Sequence, residues 1–245
     1  MTQKQHAWIT AACLGAAAGL AAAQGTTTVT FDGGDTGGWQ GIQGIGGSSF
    51  VDDNDGNGAP AYHTVFNNFG IYWTNDSNPA FVQDLTQWQS VTISIDVKVN
   101  DISMLGMAVS RPFFVEFRDY DNGSSYPWDS VWFKFDDISA ATYGEWTTLS
   151  VTFDPSQMLL PAGWGGYGDE DPNTFEPILP AHRTFADILA TYDEIAFSTL
   201  EPGFFFGFTD FDVLVDNISI TVVPAPTGVA ALAAAGLIAG RRRRA

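Results

Sequence analysis

The chain is nearly without cysteine, short of histidine and bases, and shows no sustained helical pattern. Each shortage removes a class of function. Its one cysteine, Cys13, lies in an apolar N-terminal run that reads as a cleaved leader. The mature chain would then carry no thiol, which excludes disulfides, cysteine nucleophiles and Cys-ligated zinc or iron-sulfur centres. Of three histidines only His63 and His182 lie beyond the leader, and neither a Gly-x-Ser-x-Gly nor a His-Glu-x-x-His pattern occurs. Serine-triad and zincin chemistry therefore lack their signatures. Between Gln24 and Val223 stand Lys98, Arg111, Arg118, Lys134 and Arg183 against all 28 carboxylates, a formal charge of -23. Such a surface repels phosphate backbones, which excludes nucleic acid as a partner, and it attracts hard cations that take oxygen ligands. An aromatic content of 14%, with abundant Val and Ile, argues for a packed core rather than a disordered acidic chain.

The two ends read as addresses. Residues 1–23 have the form of a secretory signal peptide: Lys4 and His6 in a polar start, an apolar run from Ala7 to Leu20, and Ala21-Ala22-Ala23 with cleavage after Ala23. The alternative, an amphipathic first helix, would need a polar face that the run lacks. Residues 223–245 open with Val223-Pro224-Ala225-Pro226, continue through an apolar run from Thr227 to Gly240, and end in Arg241-Arg242-Arg243-Arg244-Ala245. As a helix the apolar run would span ~21 Å against a hydrocarbon core of ~30 Å. Four arginines behind it would stay cytoplasmic and leave the preceding domain outside. This tripartite tail resembles the PEP-CTERM sorting signal of bacterial surface proteins, with Ala225 standing where the family's motif has glutamate. The resemblance implies recognition by an exosortase, a membrane protease-transferase. It also implies a transmembrane helix before processing, and export to the cell envelope or extracellular matrix. An ordinary tail anchor is the other reading.

Between the ends, residues 24–222, polarity alternates with period two. In Val91-Thr92-Ile93-Ser94-Ile95-Asp96-Val97-Lys98-Val99 the odd positions are apolar and the even ones polar, as a half-buried strand requires. Similar runs are Thr27 to Phe31, Phe113 to Phe117, Val131 to Phe135, Thr147 to Phe153, Asp193 to Ser198 and Asp212 to Val222. Turn clusters such as Asp154-Pro155-Ser156 and Glu201-Pro202-Gly203 punctuate them, and a weak helical period appears only near Thr184 to Tyr192. The pattern predicts an all-β, jelly-roll-like antiparallel β-sandwich, flanked by the signal helix and the sorting helix. Without strand-helix-strand alternation, a Rossmann or barrel enzyme scaffold is excluded. Three stretches are similar to extracellular carbohydrate-binding and laminin-B-type modules: Phe31-Asp32-Gly33-Gly34 with Gly37-Gly38-Trp39, Gly144-Glu145-Trp146, and Val215-Asp216-Asn217-Ile218-Ser219-Ile220.

Two places offer calcium chemistry. Asp53-Asn54-Asp55-Gly56-Asn57-Gly58 matches the first half of a calcium loop, with Asp53, Asp55 and Asn57 as ligands. Pro60 interrupts it and Thr64 stands where an EF-hand needs its bidentate glutamate, so the choice lies between a looser calcium loop and a solvated acidic turn. The second place pairs Asp32 of the first strand with Asp216 of the last. In even register Asp216 falls among Leu214, Ile218, Ile220 and Val222, and a carboxylate on an apolar face needs a partner or a cation. By resemblance to the carbohydrate-binding modules, a structural calcium would sit there. A β-bulge near Asn217 that turns Asp216 outward is the competing reading. Asp119, Asp121 and Asp169-Glu170-Asp171 read as turn residues.

Aromatic faces stack on sugar rings, and most of the seven tryptophans of the mature chain belong in a core. Trp128, after Tyr126-Pro127, and Trp164 with Tyr167 in Gly163-Trp164-Gly165-Gly166-Tyr167 sit in loop-like contexts and are the candidate ligand contacts. The sequence therefore leads to a secreted or envelope-associated, non-catalytic surface or extracellular-matrix protein acting through glycan-binding or adhesive contacts, with extracellular polysaccharide as the candidate partner. The alternatives are a structural matrix protein without a ligand and a polysaccharide hydrolase using Glu116 on a strand facing Asp136.

Overall fold

Alternation places Ile93, Ile95, Val97 and Val99 on one face of a strand longer than its sequence pattern, β7 (Trp88–Met104), and all four are buried. The computed structural model describes residues 24–58, 60–121, 128–204 and 207–225. Ala23, Pro226 and Arg241 to Arg244 lie outside these residues, as do both terminal helices expected from the sequence. Among the described residues no helix is long and apolar enough to cross a membrane.

The strands are β1 (Gly25–Val29), β2 (Gln40–Gly41), β3 (Gln43–Gly44), β4 (Gly47–Asp52), β5 (Ala61–Asn68), β6 (Tyr72–Asn75), β7, β8 (Met107–Ala108), β9 (Arg111–Asp119), β10 (Asp129–Ile138), β11 (Thr147–Phe153), β12 (Trp164–Tyr167), β13 (Asp169–Glu170), β14 (Pro177–Ile178), β15 (Glu194–Ser198) and β16 (Thr209–Pro224). The larger sheet runs β11-β7-β16-β5-β4-β3, with β1 added beside β16 and β8 beside β7. The smaller sheet runs β12-β10-β9-β15-β6-β2, and β13 pairs with β14 alone. Every pairing is antiparallel. One core joins the two sheets: Ile93, Val97, Val213 and Val215 from the larger meet Trp73, Phe113, Phe117 and Phe197 from the smaller. Burying a side chain of this size contributes about 1.5–3 kcal/mol.

The weak helical period near Thr184 is α2 (Phe185–Thr191), which follows the four-residue α1 (Ala140–Tyr143). Thr184 caps α2 through its hydroxyl, which accepts from the Asp187 amide at 3.1 Å, while the Asp187 carboxylate accepts from the Thr184 amide at 2.8 Å. This reciprocal cap lets seven residues hold a helix whose Phe185, Ile188 and Leu189 seal the core.

The last strand corrects the even-register reading. Phe211, Val213 and Val215 face the core, then the ladder slips between Asp216 and Ser219, and Ile218, Ile220 and Val222 face it instead. Asn217 takes a left-handed backbone with φ 48° at the slip. Leu214 and Asp216 therefore share the opposite face from Ile218. The strand also continues through Val223, opposite Ser90, and Pro224, opposite Trp88.

Candidate functional site

On β9, Phe113, Val115 and Phe117 enter the core, so Phe114, Glu116 and Arg118 point away from it. Register carries this outward face across the smaller sheet. Ser130 and Trp132 of β10 lie opposite Arg118 and Glu116, Tyr167 of β12 lies opposite Ser130, and Glu194 of β15 lies opposite Arg118. Phe114 is only 1% exposed because the Trp132 indole stands edge-on over it, ring centroids 5.2 Å apart. That indole lies against Gly165, where an added Cβ would come within 2.1 Å of Trp132 Cζ2. Glycine at 165 is thus what allows Trp132 to lie flat on the sheet.

Charge is concentrated in the middle of this face. Glu116 accepts from Arg118 Nε at 2.7 Å, Trp128 Nε1 at 3.1 Å and Ser130 Oγ at 2.7 Å. Arg118 NH1 donates to Glu194 Oε1 at 2.8 Å, the same oxygen that accepts from Tyr120 OH at 2.8 Å. The guanidinium also lies over the Trp128 ring, 4.8 Å from its centroid. Burial alone would loosen its proton, but Glu116 and Glu194 more than offset that and hold Arg118 firmly charged. Tyr120 is pushed up by burial and then by the Glu194 charge, so its hydroxyl stays a donor.

Two hollows share this floor. One, of about 290 Å³, is lined by Glu116, Arg118, Trp128, Tyr167, Glu201 and Phe204 among others. The other, of about 550 Å³, adds Gln40, Gln43, Tyr72, Thr74 and Glu194. Arg118, Trp128 and Leu200 border both, so the two form one continuous trough.

The sequence candidates separate here. Trp128 and Tyr167 border the trough, whereas Trp164 turns inward, 4.9 Å from Phe153 and from Phe185 and 5.6 Å from Phe133. The parity of β12 decides this, since Trp164 stands opposite inward-facing Phe133 and Tyr167 opposite outward-facing Ser130. Glu116 does not face Asp136, which corrects the hydrolase pairing. Glu116 lies opposite Trp132, while a bulge between Lys134 and Asp136 sets Asp136 opposite Phe113 and leaves its carboxylate to Tyr143 OH at 2.7 Å. Arg118, Glu194, Tyr120 and Phe204 were missed. Glu116 within the otherwise apolar Phe113 to Phe117 run, and Arg118 directly after it, were the available signal.

The acidic site assembles on the larger sheet. Asp216 is 2% exposed although the bulge turns it off the core face, because residues 55–58 fold over it. Its oxygens accept from the Asn57 amide at 2.9 Å and the Asn217 amide at 2.6 Å. Asn57 Nδ2 donates to Asp96 at 2.8 Å, and Asn217 Nδ2 donates to the same carboxylate at 2.9 Å. A hollow of about 180 Å³ is lined by Thr30, Asp32, Asn57, Gly58, Asp216 and Asn217 among others. Burial, with Asp96 and Asp32 nearby, pushes the Asp216 carboxyl up to about 6 despite its two amide donors. Asp32, Asp216 and Asn57 are thus brought together, with Asp96 as the partner the sequence did not single out. Asp55 instead pairs with Lys98 Nζ at 2.9 Å, and Asp53 is exposed. Thr64 is fully buried against Ser49, at 2.7 Å between hydroxyls, so no EF-hand closes here. Among the described residues no three acidic or imidazole side chains gather closely enough to hold an ion by themselves.

No family model matches the chain, and no curated protein matches it. Among solved structures it is similar to a family 11 carbohydrate-binding module from Clostridium thermocellum in complex with a β-1,3-1,4-mixed-linked tetrasaccharide. Identity is 16% and TM-score 0.47, over 83% of this chain and 98% of that one. It is also similar to a CBM22-1 xylan-binding domain from Paenibacillus barcinonensis, with 13% identity and TM-score 0.44 over 81% of this chain and 94% of that one. A carbohydrate esterase from a Shiga toxin-encoding bacteriophage is similar at 14% identity and TM-score 0.41, over 80% of this chain and all of that one. Likenesses of this degree leave the function to be read from the chain's own residues.

Proposed function

We propose that this chain is a non-catalytic glycan-binding protein of the bacterial envelope or extracellular matrix, holding a polysaccharide along the outward face of its smaller sheet. The trough supports this reading: Trp128, Tyr167, Phe204 and Tyr72 line its sides, and its floor is a fixed network of Glu116, Arg118, Glu194 and Tyr120. Aromatic faces cover the C–H side of a pyranose while carboxylates, amides and hydroxyls take its rim of hydroxyls. Six strands about 4.8 Å apart make a face about 24 Å across, room for several sugar rings end to end. Calorimetric titration with a panel of oligosaccharides tests it. Binding that Trp128→Ala weakens about tenfold or more is expected, and silence with every sugar would leave a structural matrix protein.

Hydrolysis has less support, because Glu116 already accepts three hydrogen bonds and lies apart from Asp136. Release of reducing ends from a polysaccharide would reverse that judgement. A structural calcium belongs to the same reading. The acidic site offers carboxylate, hydroxyl and amide oxygens, which suit a hard cation, and Asp216 is buried beside a second carboxylate. Asp32 and Asp216 would hold it, with Asn57 contributing an amide oxygen. Delivery is proposed to follow the tail, with Val223 to Pro226 and Arg241 to Arg244 read by an exosortase-like enzyme. Intact tail mass in protein recovered from the envelope would contradict that processing.

A further inference from the structure

The two hollows of the trough differ in chemistry. The larger has Gln40, Gln43, Tyr72 and Thr74 on its walls, side chains that both give and take hydrogen bonds. The smaller is lined by Trp128, Tyr167, Leu200, Pro202 and Phe204, with the carboxylates of Glu116 and Glu201 against the one guanidinium of Arg118. Arg118 turns its Nε to Glu116 and its NH1 to Glu194, so a single guanidinium answers two carboxylates. Glu201, at the wall, adds a third. Lys134, whose charge also reaches Glu201, is engaged by Asp137 at 2.8 Å. Burial raises Glu201, while Lys134 pulls it down and the Asp137 charge pushes it back up.

A neutral sugar would bring no counter-charge to Glu116 and Glu201, which share the single guanidinium of Arg118 in this hollow. A uronic acid would add a fourth negative charge. An ammonium only donates, and its desolvation between aromatic walls is offset by the surplus carboxylates. We infer that the smaller hollow takes a sugar ring carrying a protonated amine, a 2-amino-2-deoxyhexose of a deacetylated polysaccharide, and this rests on the glycan-binding reading above.

The test compares three hexasaccharides with the purified protein by calorimetry at pH 6, where an amine of the α-amino type, titrating near ~7.7, is charged. They are the β-1,4-linked glucosamine oligomer, its N-acetylated form and the β-1,4-glucose oligomer. The glucosamine oligomer should bind about tenfold more tightly than either other, and 0.5 M NaCl should shrink that advantage. Glu201→Gln should cut the preference to about threefold or less. Asp101→Asn, an equal change of charge on the larger sheet, should leave it intact. Equal or tighter binding of the acetylated or glucose oligomer would overturn the ammonium inference and leave glycan binding standing. So would an Asp101→Asn loss as large as that of Glu201→Gln, since bulk acidity would then explain the preference. Failure of all three oligomers to bind would overturn the ammonium inference, while the glycan reading would fall only if the wider oligosaccharide panel were silent too.

Discussion

Asp216 stands directly across the strand pair from Asp96, two buried carboxylates facing each other between β16 and β7. Like charges in that position repel, and only amide and hydroxyl donors from Asn57, Asn217 and Thr148 separate them. A divalent cation is the economical way to relieve the pair. Millimolar calcium should raise the melting temperature of the protein. A domain of this size gains roughly 2–4 °C per kcal/mol of bound-state stabilisation. Asp216→Ala should remove the rise, while Asp53→Ala should not. An unchanged melting curve with calcium would dismiss the site.

The two loop tryptophans should behave differently on replacement. Trp164→Ala opens a cavity among Phe117, Phe133, Phe153 and Phe185 and should cost about 3–5 kcal/mol in chemical unfolding. Any remaining folded protein should bind its glycan normally. Trp128→Ala should weaken binding about tenfold or more, since a buried aromatic anchor carries a disproportionate share of an interface. The opposite assignment of effects would mean the trough is not the site.

Arg118 holds Glu116 and Glu194 together, so its removal leaves a buried carboxylate without a counter-charge. Arg118→Ala should destabilise by about 3–5 kcal/mol in urea unfolding. Glu116→Gln should cost less, because the amide oxygen still accepts from Ser130 and Trp128. A smaller loss for Arg118→Ala than for Glu116→Gln would show that the network is not held by its arginine.

The bulge that separates Asp136 from Glu116 predicts a pH signature. The Tyr143 hydroxyl, and then the Asp137 amide, hold Asp136 below the usual carboxylate range, while burial and Asp136 push Tyr143 up to about 12. The lowered acid stabilises the fold above its unfolded value near ~4 and ceases to as pH falls. The raised phenol stabilises it below ~10 and ceases to as pH climbs past its folded value. Tyr143→Phe should therefore cost about 1 kcal/mol between roughly pH 5 and 9, with the gap narrowing at both extremes. A gap constant across the whole range would deny the hydrogen bond.

Much of the fold was legible because alternation is local. The Val91 to Val99 pattern lies inside β7, and the Thr147 to Phe153 run is β11. Strand β5 escaped notice because its faces mix polarity: Thr64 sits in the core on a hydroxyl bond to Ser49, while Val65 points outward. Phe31 was read as strand, yet it follows β1 in a left-handed turn with φ 59°, its ring stacked on Tyr62 at 5.3 Å. The trough was only half visible. Trp128 and Tyr167 could be singled out as aromatics near turns, but their partners Arg118, Glu194 and Phe204 come from other strands and loops, and only the register of β9 against β10 and β15 unites them. For Asp216 the sequence left two faces open, and the left-handed Asn217 decides for the outward one by flipping the parity of the strand behind it.

The most direct test of the glycan-binding trough is to follow the indole N–H signals of the protein by NMR while adding oligosaccharide. Trp128, which borders both hollows, should shift progressively with sugar, whereas Trp39 and Trp73, at 1% and 0% exposure, should hold still. Shifts confined to any other tryptophan, or none at millimolar sugar, would contradict the account.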